Sequence, residues 1–111
     1  MIEEFNYSSQ QEIDYALKGL DVTKRENLSV WKEFADCRGL PLSIFYPNAG
    51  SGKSLDLAIA RAKAICNDCP VERECGEYAI INENFGIWGG LSEEERHDIR
   101  RRQRLGRVSL G

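Results

Sequence analysis

Four cysteines are the residues of this chain that most clearly suit chemistry, and they are Cys37, Cys66, Cys69 and Cys75. They are separated by 28, two and five residues. The C-x2-C pair brings two sulfurs together without long-range folding, and Cys75 follows closely enough to add a third. Cys37 comes from a distant segment, and closing that loop costs roughly 3 kcal/mol of chain entropy. A bound metal centre would offset this cost, since such sites contribute on the order of ten kcal/mol.

Several kinds of site are compatible with this cysteine spacing. Four thiolates can hold a [2Fe–2S] or [4Fe–4S] cluster. They can also hold structural zinc, although zinc sites usually show two tight cysteine pairs and this chain has one. The C-x2-C pair alone could be a redox dithiol, but the βαβ context typical of such dithiols is missing. Four unrelated buried cysteines are the remaining alternative. Spacing alone does not separate an iron–sulfur cluster from zinc.

Composition limits the kind of protein that can carry this site. The chain has 111 residues, of which 41% are hydrophobic and 30% are charged, and this is typical of one small globular domain. No apolar run approaches the ~20 residues that cross a bilayer, and the first residues are acidic where a secretory signal is basic. We therefore expect a cytoplasmic protein, in which clustered cysteines more often bind metal or do redox work than form disulfides.

Charge is distributed unevenly along the chain. The net charge is −3, but residues 100–111 carry +5 and the other 99 residues carry −8. The positive charge comes from Arg100, Arg101, Arg102, Arg104 and Arg107. Five contacts to DNA phosphates would give a salt slope of about −4.5, with a nonspecific dissociation constant of about 10⁻⁴ to 10⁻⁶ M. We predict weak DNA contact by this basic tail, and a solvated helix end is the alternative.

Helical periodicity dominates the sequence, and no segment alternates convincingly at period two. The predicted fold is all-α, a small domain of four to five helices organised around the four cysteines. Helices are expected over residues 9–20, from Asn27 to near Gly39, from Ser54, from Pro70 to Asn82 and from Ser92, with a loop over residues 41–53. We divide the chain into an acidic N-terminal extension with a short helix (1–27), a cysteine-bearing domain (28–96) and a basic tail (97–111).

Two local patterns mark the ends of helices. Ser9 with Glu12, and Ser92 with Glu95, each match a capping box. The segment Gly86-Ile87-Trp88-Gly89-Gly90 is too rich in glycine for regular structure and predicts a turn. Its glycines allow positive φ angles, which would let the turn project the Trp88 indole outward. From the residues alone we favour the alternative that Trp88 packs over the cysteine site and shields it, and one indole could also do both.

Parts of this sequence resemble the WhiB-like proteins of actinobacteria and their phages. The resemblance is carried by Cys66-Asn67-Asp68-Cys69-Pro70-Val71-Glu72-Arg73-Glu74-Cys75, by Tyr78-Ala79 and by Gly86-Ile87-Trp88-Gly89-Gly90-Leu91-Ser92. Trp31, six residues before Cys37, and the triplet Phe45-Tyr46-Pro47 add to it. The match runs from about Trp31 to Arg96, whereas residues 1–27 match no part of that family.

The resemblance implies a transcription regulator, not an enzyme, that holds a [4Fe–4S] cluster on Cys37, Cys66, Cys69 and Cys75 and responds to oxygen or nitric oxide. It also implies docking on the C-terminal, promoter-reading domain of the principal sigma factor in the RNA polymerase holoenzyme, at promoter DNA. The sigma-binding positions carried over are Trp31, Phe45, Tyr46 and Trp88, presented in part by the turn glycines Gly86, Gly89 and Gly90. Tyr46 departs from the usual phenylalanine, and the tail lacks the Arg-Gly-Arg hook of some members.

Other signals are weaker. Gly50-Ser51-Gly52-Lys53-Ser54 imitates the end of a phosphate-binding loop, but Pro47 stands where glycine is needed and no strand precedes it, so no nucleotide site is expected. His97 is interpreted as a solvated surface residue. No histidine, serine or acid constellation indicates catalysis. Two other functions stay open: a zinc-stabilised DNA-binding or interaction module, and a thiol–disulfide reductase that uses Cys66 and Cys69 in the cluster-free form.

Overall fold

The computed structural model describes residues 10–47 and 52–110, with side chains described as far as Gly106. Its helices are α1 (10–16), α2 (Leu28–Lys32), α3 (Lys53–Asn67), α4 (Glu72–Asn82) and α5 (Glu93–Leu110). Short 3-10 helices cover Arg25–Asn27 and Leu42–Phe45. In the described ranges, extended pairing is limited to one isolated bridge between Trp88 and Leu91. The predicted all-α fold is confirmed. None of the described helices combines the length and apolar character of a membrane span.

Helix α2 is much shorter than predicted, and this changes the setting of Cys37. The helix ends at Lys32 instead of near Gly39. Beyond it the chain continues in turns, in which the Phe34 amide donates to the Trp31 carbonyl at 3.1 Å, a three-residue spacing. Asn27 occupies the N-cap position, but its side chain donates to the Asp21 carbonyl at 2.8 Å and does not cap the helix. Cys37 therefore lies in an irregular turn, which corrects its predicted place on a helix.

Helix α3 also begins and ends differently from the prediction. Its N-cap is Gly52, at φ 63°, so the helix starts one residue before Ser54, the predicted cap. It continues to Asn67, which places Cys66 in its last turn and not in a connecting loop. The helical spacing of Leu55, Ala58, Ile59, Ala62 and Ile65 predicts an apolar stripe along α3. The structure confirms it, since Ala62 is fully buried and Ile59 and Ile65 pack with it.

Helix α4 begins two residues after Pro70 and ends at Asn82, as predicted. Its N-cap position is Val71, so Pro70 precedes the first turn instead of lying within it. The buried side of α4 carries Tyr78 and Ala79, which face the core. The Ser9–Glu12 capping box and part of the Gly50–Ser54 segment lie outside the described residues.

Aromatic packing organises the core between α2 and α4. The Trp31 ring is fully buried, and its centroid lies 5.5 Å from that of Tyr78. Tyr78 in turn lies 5.6 Å from Trp88 of the glycine turn. A second buried cluster joins Phe45 of the 3-10 helix to α3 and to Ile87. Both clusters border the region where the cysteines lie, so the core itself forms the walls of the site.

Residues 10–27, predicted as an extension, pack on this core where they are described. Ile13 and Val22 are buried in the same cluster as Trp31. The Trp31 Nε1 group donates to the Val22 carbonyl at 3.1 Å. At the end of α4, Asn82 Nδ2 donates to the Thr23 carbonyl at 2.6 Å. This N-terminal segment is therefore attached to both α2 and α4.

Helix α5 begins with the predicted capping box. The Ser92 amide donates to Glu95 Oε1 at 2.9 Å, and the Glu95 amide donates to Ser92 Oγ at 3.2 Å. Lys63 Nζ of α3 lies 2.9 Å from the same Glu95 oxygen, which connects α5 to α3. This box thus sets both the start of α5 and its contact with the rest of the domain.

Replacing Ser92 with alanine is expected to lower the free energy of unfolding by about 1 kcal/mol, because the Glu95 amide loses its side-chain acceptor. Urea unfolding followed by far-UV circular dichroism would measure the change. Ser29→Ala, an exposed serine within α2, is the matched control and is expected to stay within about 0.5 kcal/mol of wild type. Equal losses in the two variants would contradict a capping role for Ser92.

Candidate metal centre

All four cysteines line one cavity of about 60 Å³. The turn after α2 contributes Cys37, and the last turn of α3 contributes Cys66. The connection to α4 contributes Cys69, and the first half of α4 contributes Cys75. The structure therefore brings together sulfurs that are separated by as many as 38 positions in the sequence.

The rest of the cavity wall is mainly apolar. It is formed by Trp31, Lys32, Ala35, Leu42, Phe45, Tyr46, Glu72, Ile87, Trp88 and Gly89. The four aromatic residues implicated in partner binding by the resemblance are all in this wall. They differ in exposure, however, because Tyr46 is 39% exposed whereas Trp31, Phe45 and Trp88 are buried. Only Tyr46 among these aromatics presents a substantial surface to a partner.

Burial disfavours the ionised form of the cysteine thiols. Loss of hydration raises the pKa of Cys75 to about 12, and it also raises the pKa of Cys66 and of Cys69. The neighbouring sulfurs add to the effect at Cys75, because one negative thiolate disfavours another close by. Thiols that resist separate ionisation lose their protons when a metal cation binds them together. Binding of a metal centre at these sulfurs would therefore release their protons.

Backbone amides are directed at three of the sulfurs. The Asp36 amide donates to Cys69 Sγ over 3.4 Å. Hydrogen bonding by the Gly90 amide favours the thiolate form of Cys66, that by the Gly89 amide favours the thiolate form of Cys75, and the Val71 amide acts in the same way on Cys69. Hydrogen bonds of this kind stabilise thiolate ligands and tune the potential of iron–sulfur clusters. Two of these four donors belong to the glycine turn.

The donor set fits the [4Fe–4S] cluster that the resemblance implies. Four thiols, apolar walls and amide donors to sulfur are the surroundings such clusters require. Over the described ranges, no group of three or more His, Cys, Asp or Glu side chains is arranged to hold a metal ion. The four thiols therefore share a cavity without forming a coordination shell for one ion.

The glycine turn lies directly against α4, and its backbone has the predicted positive φ angles. Gly86, Gly89 and Gly90 have φ values of 79°, 58° and 75°, which glycine adopts without strain. A Cβ atom on Gly89 would lie 2.6 Å from the Glu72 carbonyl oxygen, and one on Gly86 would lie 2.6 Å from the Tyr46 ring. At both positions, the absence of a side chain permits the close approach.

The prediction that the Trp88 indole projects outward is wrong, and the alternative of a shielding residue is what the structure shows. Trp88 is only 9% exposed, and its Nε1 donates to the Phe85 carbonyl at 3.1 Å. The Lys32 ammonium lies 4.9 Å from the centre of the ring. The turn directs the chain back onto α4, so that the indole packs against Tyr78.

Arg96 does not line the cavity but holds the glycine turn that borders it, and this role was not predicted from the sequence. It is fully buried, and its guanidinium donates to three backbone carbonyls. The acceptors are Leu91 at 2.8 Å, Phe85 at 3.1 Å and Glu83 at 3.3 Å. Arg96 is the fourth residue of α5, which begins with a capping box. At this position an apolar side chain usually packs against the residue before the N-cap, here Leu91. An arginine in place of this apolar residue was the sequence signal that could have indicated a buried guanidinium.

The arginines of the basic tail are not equivalent. Arg100 Nη1 donates to the Ile80 carbonyl at 2.8 Å and to the Glu83 carbonyl at 3.5 Å, so it satisfies carbonyls at the C-terminal end of α4. The side chains of Arg101, Arg102 and Arg104 are exposed, whereas that of Arg107 lies outside the described residues. His97 is exposed, as predicted.

Comparison with known proteins gives consistent matches over this domain. The sequence model of a family described as transcription factor WhiB matches residues 31–99. Transcriptional regulator WhiB1 of Mycobacterium tuberculosis is 39% identical over 82 residues, covering 73% of this chain and 96% of the relative. Transcriptional regulator WhiD of Streptomyces coelicolor is 38% identical over 76 residues, covering 67% and 68%. The redox-responsive transcriptional regulator WhiB3 of Mycolicibacterium smegmatis is 39% identical over 74 residues, covering 65% and 77%.

Proposed function

Because the chain belongs to the WhiB family of transcription factors, we propose that it is a transcription regulator, not an enzyme, with a [4Fe–4S] cluster held by its four cysteines. The proposal is carried by the meeting of Cys37, Cys66, Cys69 and Cys75 in one apolar cavity. When bound, the cluster supplies a centre that exchanges an electron or reacts with oxygen or nitric oxide. The chain contributes four thiolates, amide donors to sulfur and a mainly apolar wall.

The docking surface in this proposal is the rim of the cysteine cavity. Tyr46 and Leu42 are exposed there, at 39% and 71%, and both border the cavity. An aromatic residue held by rigid neighbours is a typical binding hot spot. The partner that we propose is the C-terminal domain of the principal sigma factor, in the cytoplasm. Phe45 and Trp88 support this rim from inside the fold.

Sensing and docking are coupled in this arrangement because they share the same walls. Without the cluster, Cys37 would no longer be held to the other three cysteines. The segment from Trp31 to Tyr46, which has only short helical turns of its own, would then be held to α3 and α4 mainly by the packing of Trp31 and Phe45. The rim would become less ordered, and a change of order is a common form of switching.

Visible absorbance of anaerobically purified protein tests the cofactor. The full chain is co-expressed with the sigma domain, and the co-purified complex is expected to be brown, with broad absorbance near about 400 nm and about four irons per chain. A zinc protein would be colourless. Colourless, iron-free protein after careful reconstitution would contradict the proposed function.

A Tyr46→Ala variant is expected to keep its cluster and to bind the sigma domain at least about tenfold more weakly, since a hot-spot aromatic is worth roughly 2–4 kcal/mol. Anaerobic titration calorimetry measures the affinity, and absorbance verifies that the cluster is present. Tyr15→Ala is the matched control, because Tyr15 is 82% exposed on α1 and does not line the cavity. Wild-type affinity in the Tyr46 variant would contradict docking at this rim.

Replacing Arg101, Arg102 and Arg104 together with glutamine is expected to reduce the salt dependence of promoter binding by the sigma complex. Each lost phosphate contact removes about 0.9 from the slope of log affinity against log salt. Fluorescence anisotropy at several salt concentrations measures the slope. Arg61→Gln, an exposed arginine on α3, serves as the control. An unchanged slope in the triple variant would mean that these arginines do not touch DNA.

A further inference from the structure

We propose that Arg96 is a positioning residue for the cluster, because its guanidinium holds the base of the glycine turn while the turn's amides face the cysteine sulfurs. Arg96 also places a buried positive charge beside the site. This inference rests on the proposed cluster and goes beyond it, since it assigns a role to a side chain that cannot itself ligate iron.

The carbonyl side of the turn is held by Arg96. Its three acceptors, the carbonyls of Glu83, Phe85 and Leu91, lie on both sides of the segment 86–90. The planar guanidinium offers five donors in one rigid fork, so it can hold separated carbonyls at the same time. The Arg96 side chain thus connects the segment that enters the turn to the segment that leaves it.

The amide side of the same turn faces the sulfurs. The turn is closed at its base by Trp88 and Leu91, whose amides donate to each other's carbonyls at 3.1 and 2.9 Å. Between them lie Gly89 and Gly90, whose amides donate to Cys75 and Cys66. The Leu91 carbonyl accepts from both Trp88 and Arg96. Moving that carbonyl therefore moves the two amides that contact the ligand sulfurs.

The charge of Arg96 has no directly paired counterion. Within the part of the chain that the structure describes, the ion pairs are Lys63–Glu95 and Arg73–Glu74, and neither includes Arg96. Its hydrogen bonds go to neutral carbonyls, and burial lowers the pKa of its guanidinium. A buried cation is costly unless negative charge lies nearby. The neighbouring Arg100 disfavours its charged form, whereas Glu93 and Glu83 favour it, and thiolates around a bound cluster would add to the favourable effect.

Both contributions of Arg96 act in the same direction on a cluster. Amide donors to sulfur and a nearby positive charge stabilise the more negative, reduced state more than the oxidised state. Weakening either one makes the cluster harder to reduce. The reduction equilibrium is therefore a readout that a purely structural arginine would leave unchanged.

The test compares Arg96→Met and Arg96→Lys in the full chain, reconstituted anaerobically, by redox titration followed by visible absorbance and electron paramagnetic resonance. Arg96→Met is expected to shift the reduction equilibrium at least about tenfold toward the oxidised cluster, which is about 59 mV for one electron. Arg96→Lys keeps the charge but lacks the fork, so a shift of about threefold is expected. Arg61→Met, an exposed change of the same charge, is expected to match wild type.

Wild-type reduction equilibria in both Arg96 variants would overturn the inference while leaving the proposed function intact. An equal shift in the Arg61→Met control would also overturn it, since the effect would then be one of net charge. If Arg96→Met holds no cluster, the reduction equilibrium of Arg96→Lys is the test. A shift toward the oxidised cluster supports the inference, and a wild-type equilibrium overturns it. Loss of the cluster from both Arg96 variants supports the inference if far-UV circular dichroism is unchanged, and overturns it if the helices are lost. An iron-free wild type removes the proposed function and this inference together.

Discussion

A Cys75→Ser variant is expected to hold no stable [4Fe–4S] cluster and to lose its visible absorbance. Burial raises the pKa of Cys75 to about 12, so this thiol is one that only a bound cation would ionise near neutral pH. A serine hydroxyl is a far poorer ligand for iron–sulfur centres than a thiolate. Iron content and absorbance after anaerobic reconstitution measure the loss. Since metal binding contributes on the order of ten kcal/mol, the thermal midpoint of the reconstituted protein should fall with it.

The matched control for this change is Ala35→Ser, which adds a hydroxyl to the wall of the same cavity and leaves all four sulfurs in place. We expect it to keep the iron content of wild type. Wild-type iron content in the Cys75→Ser variant would show that three cysteines are enough, and a four-cysteine site would then be wrong.

Gly89→Ala is the second change with a large expected effect, a loss of about 2–4 kcal/mol in the free energy of unfolding. The new methyl group would lie 2.6 Å from the Glu72 carbonyl oxygen and against the backbone of Gly76, so the rigid α4 would have to move. The positive φ of 58° adds about 1–2 kcal/mol of strain for a residue with a Cβ atom. Urea unfolding of the metal-free protein measures this effect separately from cluster loss.

Gly106→Ala is the control that the chain itself offers, because it makes the same chemical change with the opposite expected sign. Gly106 lies in α5, and a Cβ atom there would meet nothing within 4 Å. Alanine in a helix is favoured over glycine by up to about 1 kcal/mol. If the turn could move away from α4 at little cost, the two variants would have similar free energies of unfolding.

Features of the fold that depend on neighbours in sequence could be predicted. The Ser92–Glu95 capping box needs only four residues, and both of its hydrogen bonds form as expected. The stripe around Ala62 follows from helical spacing, and the positive φ angles follow from glycine content. In these cases the local pattern and the tertiary packing favour the same structure.

The features that could not be predicted depend on contacts between distant segments. The periodicity after Asn27 suggested a long α2, but the helix stops at Lys32 and the chain turns so that Cys37 reaches the cavity. Trp88 was expected outside because the resemblance implied a docking role, whereas the structure packs it against Tyr78. The acceptors of Arg96 are backbone carbonyls, which no residue type in the sequence reveals.

The N-terminal segment shows that the boundary of the shared family domain is not a boundary of the folded unit. The family match begins at residue 31, yet the Trp31 indole donates its hydrogen bond to Val22, outside that match. A protein trimmed to the match would lose the Val22 acceptor of the Trp31 indole and would expose to water the apolar side chains that Ile13 and Val22 now cover. Substitutions in this N-terminal segment can therefore change the packing of the aromatic wall of the cavity without altering any cysteine.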